Sequence, residues 1–145
     1  MPRDQESLID IAAAIKRILR YTANISRTNL ETNDEKLSAI LYQITIIGEA
    51  TKRLSQTFRE QHPEIPWREM AGMRDVIVHE YDQLDFDVIW DVVQNKLSSL
   101  QTLINPLLWG NVYQPLEIAK TDEEGAIETD EEGALPLAQR RWPLG

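Results

Sequence analysis

The sequence predicts an all-α protein, an antiparallel four-helix bundle followed by an irregular acidic tail. Apolar residues recur at spacings of three and four along four segments, the pattern of a helix that buries one face. Prolines, glycines and polar residues separate these segments, and none of the segments shows the alternation of a β-strand. Because the links between them are short, neighbouring helices are expected to run antiparallel.

The first helix is predicted from residue 4 to about residue 28, with Asp4 or Ser7 as its N-terminal cap. Thr22 is the only interruption of its apolar stripe. The stripe consists of Leu8, Ile11, Ala12, Ile15, Ile18, Leu19 and Ile25. A helix with such a stripe can bury one side along its whole length.

The second helix is predicted to begin at the polar pair Asn33 and Asp34 and to extend to Phe58. Pro63 and Pro66 end it, because proline lacks a backbone donor and disfavours helical geometry in the residue before it. Its apolar positions are Leu37, Ile40, Leu41, Ile44, Ile47, Leu54 and Phe58.

The third helix is short, from Trp67 to about Glu80, and contains Gly72. Glycine inside a helix costs about 1 kcal/mol relative to alanine, so a close contact is expected at this position. The fourth helix follows the polar residues 81–85 and ends at Asn105-Pro106. Its apolar positions are Phe86, Ile89, Trp90, Val93, Leu97, Leu100, Leu103 and Ile104.

Two parts of the chain differ in composition, a helical domain over residues 1–108 and a tail over residues 109–145. The tail carries eight acids and three bases, a net charge of −5 out of −9 for the chain of 145 residues. Residues 121–128 are repeated almost unchanged as residues 129–136, and both copies are too acidic to form a core. The tail is therefore predicted to be irregular.

The amino-acid composition excludes several classes of site and of protein. Cysteine is absent, which excludes disulfides, a thiol nucleophile and a cysteine-ligated zinc site. The N-terminus lacks the regions of a signal peptide, and no apolar run approaches a membrane span, so we expect a cytoplasmic protein without a membrane anchor. The net charge of −9 argues against broad binding of nucleic acid, so any such site must be local.

The third helix carries the residues suited to chemistry: Arg74, His79 five positions later and Tyr81 two beyond that. Such residues are more often surface or structural groups than catalysts. Cleavage of RNA by its own 2′-hydroxyl nevertheless needs these types and no obligatory metal. Histidine can transfer a proton near neutral pH, and a guanidinium matches the phosphate oxygens. Arg74 and His79 are therefore candidate catalytic residues.

Helical geometry separates Arg74 from His79 by roughly 140° around a straight helix. Either the helix is distorted near Gly72 or His79, or a two-fold dimer brings two such helices together in a shared site. We favour the dimer, because it also supplies two histidines. One can act as the base for the 2′-hydroxyl and the other as the acid for the leaving 5′-oxygen.

Arg74, His79 and Tyr81 form the pattern arginine, four residues, histidine, any residue, tyrosine. Matching segments accompany it in register at residues 46–50, 62–67, 72–75 and 86–90. With these features the sequence resembles the HepT-like branch of the HEPN superfamily over about residues 4–108.

The resemblance implies a homodimeric helical bundle that cleaves RNA where the two motifs face each other, without a cofactor. It implies that Arg74 and His79 are catalytic and that Asp75 orients one of them. The family acts as the toxin of type VII toxin–antitoxin systems. The implied antitoxin is a minimal nucleotidyltransferase that adds AMP from ATP to Tyr81 and so places negative charge beside the cleft.

Charged residues outside the motif, on the second helix and in the tail, also have expected roles. Glu49 is expected to pair with Arg74 across the bundle, as a structural ion pair rather than a catalyst. The basic pair Lys52-Arg53 is expected to be solvated. The tail is expected to dock on the basic cleft of the dimer or on the antitoxin as a phosphate mimic, or else to be a solvated extension.

The main alternative to a nuclease is a non-catalytic nucleotide- or RNA-binding helical module that serves as partner of a nucleotidyltransferase. In that case Arg74 would grip a nucleotide phosphate in the same groove. A purely structural helical protein would leave the polar residues of the third helix without an explanation.

Overall fold

The computed structural model describes residues 2–109, and the regular structure of this range is helical throughout, which confirms the all-α prediction. A π-helical turn lies at Val92–Lys96, and 3₁₀ turns lie at Tyr81–Gln83 and Asn105–Leu107. The predicted acidic tail lies outside the described residues, apart from Trp109. The α-helices are α1 (Pro2–Tyr21), α2 (Arg27–Glu31), α3 (Asp34–Arg53), α4 (Gln56–Gln61), α5 (Trp67–His79), α6 (Phe86–Asp91) and α7 (Leu97–Ile104).

The long helices form the predicted antiparallel bundle, in which α3 packs against both α1 and α5. The end of α1 meets the start of α3, where Lys36 Nζ donates to the Tyr21 carbonyl at 2.8 Å. The start of α1 meets the end of α3, where Arg53 Nη2 lies 2.9 Å from Asp10 Oδ2. These helices therefore run in opposite directions.

Gln5 joins α1 to the end of α7. Its Nε2 donates to the Leu107 carbonyl at 2.9 Å, and its Oε1 accepts from the Trp109 N–H at 2.8 Å. Gln5 is buried, and its two bonds hold residues 107–109 against the start of α1.

The core contains the predicted apolar stripes. Burial of this many aliphatic side chains supplies the main driving force for the fold. The largest fully buried side chains are Leu8, Ile11, Ile15, Ile18, Leu30, Ile40, Met70, Met73, Val92, Leu97, Leu100 and Ile104.

The predicted extent of the first helix is wrong, because α1 ends at Tyr21 and a separate short helix, α2, follows. The Thr22 hydroxyl donates to the Ile18 carbonyl at 2.9 Å, and Asn24 adopts a positive φ of 59°, which stops the helix. Ser26 then caps α2 by accepting from the Asn29 N–H at 3.1 Å. The residual apolar pattern beyond residue 21 serves α2, which buries Leu30.

The second predicted helix begins as expected, with the Asn33 side chain accepting from the Lys36 N–H at 2.9 Å. It divides after Arg53, because Ser55 caps the separate helix α4. Asp4 stabilises this break, and its carboxylate accepts from the Ser55 N–H at 2.8 Å and from the Ser55 hydroxyl at 2.9 Å. Asp4 therefore does not cap the first helix, which already begins at Pro2, but supports the start of α4.

The third predicted helix is present as α5, and the fourth begins and ends where expected. The fourth is not uniformly α-helical, however, since the π-helical turn lies between α6 and α7. There the Leu97 N–H bonds to the Val92 carbonyl, five residues earlier, instead of four. Asp85 caps α6 by accepting from the Asp87 N–H at 2.9 Å. Within residues 2–109, no helix has the length and apolar character needed to cross a membrane.

Candidate active site on α3 and α5

A close approach of α3 and α5 at Gly48 builds the site. A Cβ atom added to Gly48 would lie 2.2 Å from the Arg74 Cβ and 3.1 Å from the Met70 carbonyl oxygen, so only hydrogen fits there. The buried Gly48 lets α5 approach α3 closely and brings Arg74 next to the polar residues that follow on α3.

Arg74 lies between two carboxylates. Its Nε forms an ion pair with Glu49 Oε2, and its Nη1 lies 3.1 Å from Asp75 Oδ1. The predicted pairing of Glu49 with Arg74 is therefore present in the structure. The hydrogen bond that Arg74 donates to Asp75, followed by its interaction with Glu49, raises the pKa of Arg74 above its ordinary value. The guanidinium side chain, 26% exposed, is held in place as a cation at the protein surface.

Asp75 is held by a second cation. Lys52 Nζ donates to Asp75 Oδ1 at 2.6 Å, and Arg74 shares the same oxygen. These hydrogen bonds, that of Lys52 first, lower the pKa of Asp75. Asp75 was expected to orient either Arg74 or His79. It accepts a hydrogen bond from Arg74, and no hydrogen bond joins it to His79 within this chain.

Lys52 is the residue of this site that the sequence did not reveal. Lys52 and Arg53 are exposed, as expected, but each also forms an ion pair, Lys52 with Asp75 and Arg53 with Asp10. The signal was the spacing from Glu49 to Lys52, three residues on a helix, which places both on the same face.

His79 and Tyr81 lie at the far end of α5. His79 is its last residue and is exposed, and Tyr81 begins the following 3₁₀ turn with 56% of its surface exposed. Neither side chain forms a hydrogen bond or an ion pair with another described residue. The neighbouring Val78 is also 47% exposed. The chain therefore has, at the end of α5 and away from Arg74, an imidazole that forms no hydrogen bond with the described residues and lies beside exposed apolar side chains.

The helix between Arg74 and His79 is regular. α5 is α-helical from Trp67 to His79, so the alternative of a helix distorted near Gly72 is not observed. A Cβ atom added to Gly72 would have no neighbour within 4 Å, so the close contact expected there is not found within the described chain. Gly72 and Asp75 line an open groove of about 990 Å³ between α4 and α5.

His62, the other histidine of the chain, packs between α4 and α5 and contacts aromatic residues of both helices. Its ring centroid lies 4.6 Å from that of Phe58, and its backbone carbonyl accepts from Trp67 Nε1 at 3.0 Å. Among residues 2–109, no cluster of three or more histidine, aspartate or glutamate side chains could hold a metal ion.

The residues of this site lie within a stretch of sequence that matches a known protein family. The chain matches the family described as ribonuclease HepT-like over residues 11–107. It belongs to this family. The matched range contains Gly48, Glu49, Arg74, His79 and Tyr81. Membership in the HepT-like family confirms the resemblance and the predicted enzyme class, a ribonuclease.

Individual proteins that are similar to this chain also carry ribonuclease names. A protein of Thermococcus cleftensis named "Probable ribonuclease HepT" is 39% identical over 97 residues, which cover 67% of this chain and 88% of the relative. A "Putative RNase" of Methanocaldococcus jannaschii is 32% identical over 90 residues, 62% of this chain and 74% of the relative. A "Putative RNase" of Caldanaerobacter subterraneus is 39% identical over 70 residues, 48% of this chain and 62% of the relative. No solved structure matches this HepT-like chain.

Proposed function

We propose that this HepT-like chain is a metal-independent endoribonuclease whose active site forms between two copies, with Arg74 and His79 as catalytic residues. The observation that carries the proposal is the contrast between these two side chains. Arg74 is a cation held by Glu49 and Asp75 at the surface, and the exposed His79 is engaged by nothing in the described chain.

The reaction is an attack of a 2′-oxygen on the adjacent phosphorus. The bond between O2′ and phosphorus forms, the bond between phosphorus and O5′ breaks, and a 2′,3′-cyclic phosphate and a free 5′-hydroxyl result. His79 takes the proton from the 2′-hydroxyl, and the partner's His79 gives a proton to O5′. Arg74 donates to the non-bridging oxygens, on which negative charge accumulates in the transition state.

Two protomers are needed because one chain holds a single unengaged imidazole and keeps it apart from its own guanidinium. The exposed Val78 and Tyr81 beside His79 provide apolar surface that a second copy can cover. The open space at Gly72 leaves room for a close approach of another helix to α5. These features support a two-fold dimer about α5.

Glu49, Asp75 and Lys52 act as positioning residues in this proposal. The two carboxylates fix the fork of Arg74, and Lys52 compensates part of their negative charge. Without Lys52, Asp75 would add more repulsion toward a phosphate at the same place. Such fixed donors lower the reorganisation that the transition state requires.

Cleavage of a labelled single-stranded RNA in excess EDTA tests the nuclease. We expect the wild-type chain to cleave, and His79→Ala and Arg74→Ala each to lose at least about a hundredfold in rate while keeping their helical circular dichroism. His62→Ala and Arg68→Ala are the matched controls and should cleave normally. Cleavage by His79→Ala at the wild-type rate, or loss of wild-type activity on removal of metal, would contradict the proposal.

We also propose that the protein is the cytoplasmic toxin of a type VII toxin–antitoxin pair, neutralised when a minimal nucleotidyltransferase transfers AMP to Tyr81. The Tyr81 oxygen would attack the α-phosphorus of ATP, with loss of its proton and departure of pyrophosphate. The exposure of this side chain, two residues after His79, supports the assignment. The attached phosphate would repel RNA from the cleft.

Mass spectrometry of the chain purified with the nucleotidyltransferase encoded beside it tests this control. We expect an AMP increment on Tyr81 and none in Tyr81→Phe, which stays active in the presence of the antitoxin. Tyr42 is a useful internal control, because it is 64% exposed but distant from the end of α5 in sequence and should not be modified. Full neutralisation of Tyr81→Phe would show that another mechanism operates.

A further inference from the structure

A second groove begins where the candidate active site ends. It lies between α1 and α3, has a volume of about 480 Å³ and is lined by residues that include Arg17, Tyr42, Glu49 and Arg53. Glu49 both lines this groove and pairs with Arg74. The groove therefore opens directly beside the guanidinium that the proposed reaction uses.

Among the charged side chains that line this groove, Arg17 is the cation without an ion-pair partner in the described residues. Arg53 Nη2 pairs with Asp10 Oδ2 at 2.9 Å, and Glu49 pairs with Arg74. Arg17 is exposed and forms no ion pair or hydrogen bond with any other described residue. With the acids of the groove already engaged, Arg17 can bind an anion without first breaking an ion pair.

Tyr42 adds an aromatic surface to the same groove. Its side chain is 64% exposed and forms no hydrogen bond in the described part of the chain. On α3 it lies two turns before Glu49, about 10 Å along the helix axis. Proteins that bind single-stranded RNA combine such groups in one groove, with a base stacked on the aromatic ring and a phosphate bound to the cation.

The larger groove between α4 and α5 is less suited to a polyanion. Its lining includes the carboxylates of Glu60 and Glu69, neither of which forms an ion pair with another described residue. The third acid of the lining, Asp75, is already paired with Lys52 and Arg74. Because the chain has a net charge of −9, RNA can bind only where every carboxylate is paired with a cation and does not repel the phosphates. The α1–α3 groove meets this condition and the α4–α5 groove does not.

We propose that the groove between α1 and α3 is a binding subsite for a nucleotide of single-stranded RNA flanking the scissile linkage, with its base on Tyr42 and a phosphate on Arg17. The subsite rests on the proposed ribonuclease function, to which it adds a preference for unpaired RNA. It concerns binding and not the chemical step, so its residues should change affinity and leave the reaction of bound RNA unaltered.

Binding of a fluorescent single-stranded RNA with every 2′-hydroxyl methylated tests the subsite, because this strand cannot be cleaved. Fluorescence anisotropy of the full chain should show that Tyr42→Ala binds about tenfold more weakly, the effect of losing a base stack, whereas Tyr42→Phe binds like the wild type. Arg17→Gln should reduce the slope of log affinity against log salt by about 0.7, the value for one phosphate contact on a single strand. Lys16→Gln, the same charge change on the adjacent residue of α1, should leave the slope unchanged.

Several results would overturn the subsite. These are wild-type affinity in Tyr42→Ala, equal weakening in Tyr42→Phe, equal slopes for Arg17→Gln and Lys16→Gln, or no binding by the wild type. Sedimentation of Tyr42→Ala provides a further check, since dissociation into monomers would assign Tyr42 to an interface between two copies of the chain instead.

Cleavage of unmethylated RNA separates this proposal from the one it rests on. If the wild type binds the methylated strand through Tyr42 and Arg17 but leaves unmethylated RNA intact, the nuclease fails and the subsite stands. If the wild type cleaves RNA and the Tyr42 and Arg17 variants bind normally, the subsite alone fails.

Discussion

Gly48 and Gly72 have opposite environments, although both are glycines within helices. At Gly48 hydrogen is the only substituent that fits between α3 and α5, whereas Gly72 faces open space. The first is required by the fold of the protomer. Gly72 lowers the stability of α5, and no close contact with the described residues requires a glycine there. This is expected for a position that another molecule approaches.

Replacing each glycine by alanine tests this difference. Gly48→Ala should lower the free energy of unfolding by about 1–3 kcal/mol, since the new methyl group overlaps the Arg74 side chain and forces α5 away. Gly72→Ala should raise it by up to about 1 kcal/mol, the helix propensity of alanine over glycine. Urea denaturation of both variants measures these changes. A stable Gly48→Ala variant would show that α5 can shift freely.

Asp75 makes the site sensitive to pH. Because Lys52 and Arg74 lower the pKa of Asp75, folding favours its ionised form, and this stabilisation is present at neutral pH. It is lost as the pH falls through the lowered pKa of the folded state, below the ordinary carboxylate range. The contribution is modest, since the side chain is 48% exposed.

Asp75→Asn should therefore unfold more easily than the wild type at pH 7, and the difference should shrink once the pH falls below about 4. Denaturation midpoints measured across this range check the prediction. Asp82→Asn changes the net charge equally at an exposed position and serves as the control. A difference for Asp75→Asn that stays constant down to the lowest pH would contradict the role of the charge.

Within residues 2–109, the predicted fourth helix differs most from a regular α-helix. The π-helical turn Val92–Lys96 contains an extra residue, yet Ile89 before it and Leu97 after it are both buried. The turn absorbs the extra residue, so the buried faces of α6 and α7 stay aligned on the core.

Deletion of Gln94, an exposed residue of the π-helical turn, should convert it into an α-helical turn and change the free energy of unfolding by less than about 1 kcal/mol. Deletion of Ser98, an exposed residue of α7, should rotate Leu100 and Ile104 by about 100° away from the core and destabilise the protein by more than about 3 kcal/mol. Thermal denaturation followed by circular dichroism compares the two. Equal losses would show that the turn is not a simple insertion.

The active site that we propose between two copies of the chain predicts that one defective copy inactivates the dimer. A heterodimer of wild type and His79→Ala, purified through two different tags, has a single His79, which cannot act as base and acid in the same turnover. Its cleavage rate should fall by more than about a hundredfold. The heterodimer of wild type and His62→Ala is the control. Retention of half the wild-type rate would instead indicate a complete site in each protomer.

Much of this protein could be predicted from local patterns. Three- and four-residue spacing identified the helical class and the buried residues, and prolines marked the link before α5. The breaks after residues 21 and 53 could not be predicted in this way. They depend on the φ of Asn24 and on the bonds of Asp4 to Ser55, a residue 51 positions away. Only folding brings such residues together.

The helical fold and the motif typical of HepT-like proteins could be predicted from the order of the residues, because amphipathic periodicity and motif spacing are properties of neighbouring residues. The pairing of Glu49 with Arg74 was also predicted from the sequence. The folded chain settled that Asp75 contacts Arg74 and that Lys52 joins the site, because α3 and α5 touch at Gly48. It also decided that His79 stays apart from Arg74 within one chain, since a regular helix keeps the two on different faces.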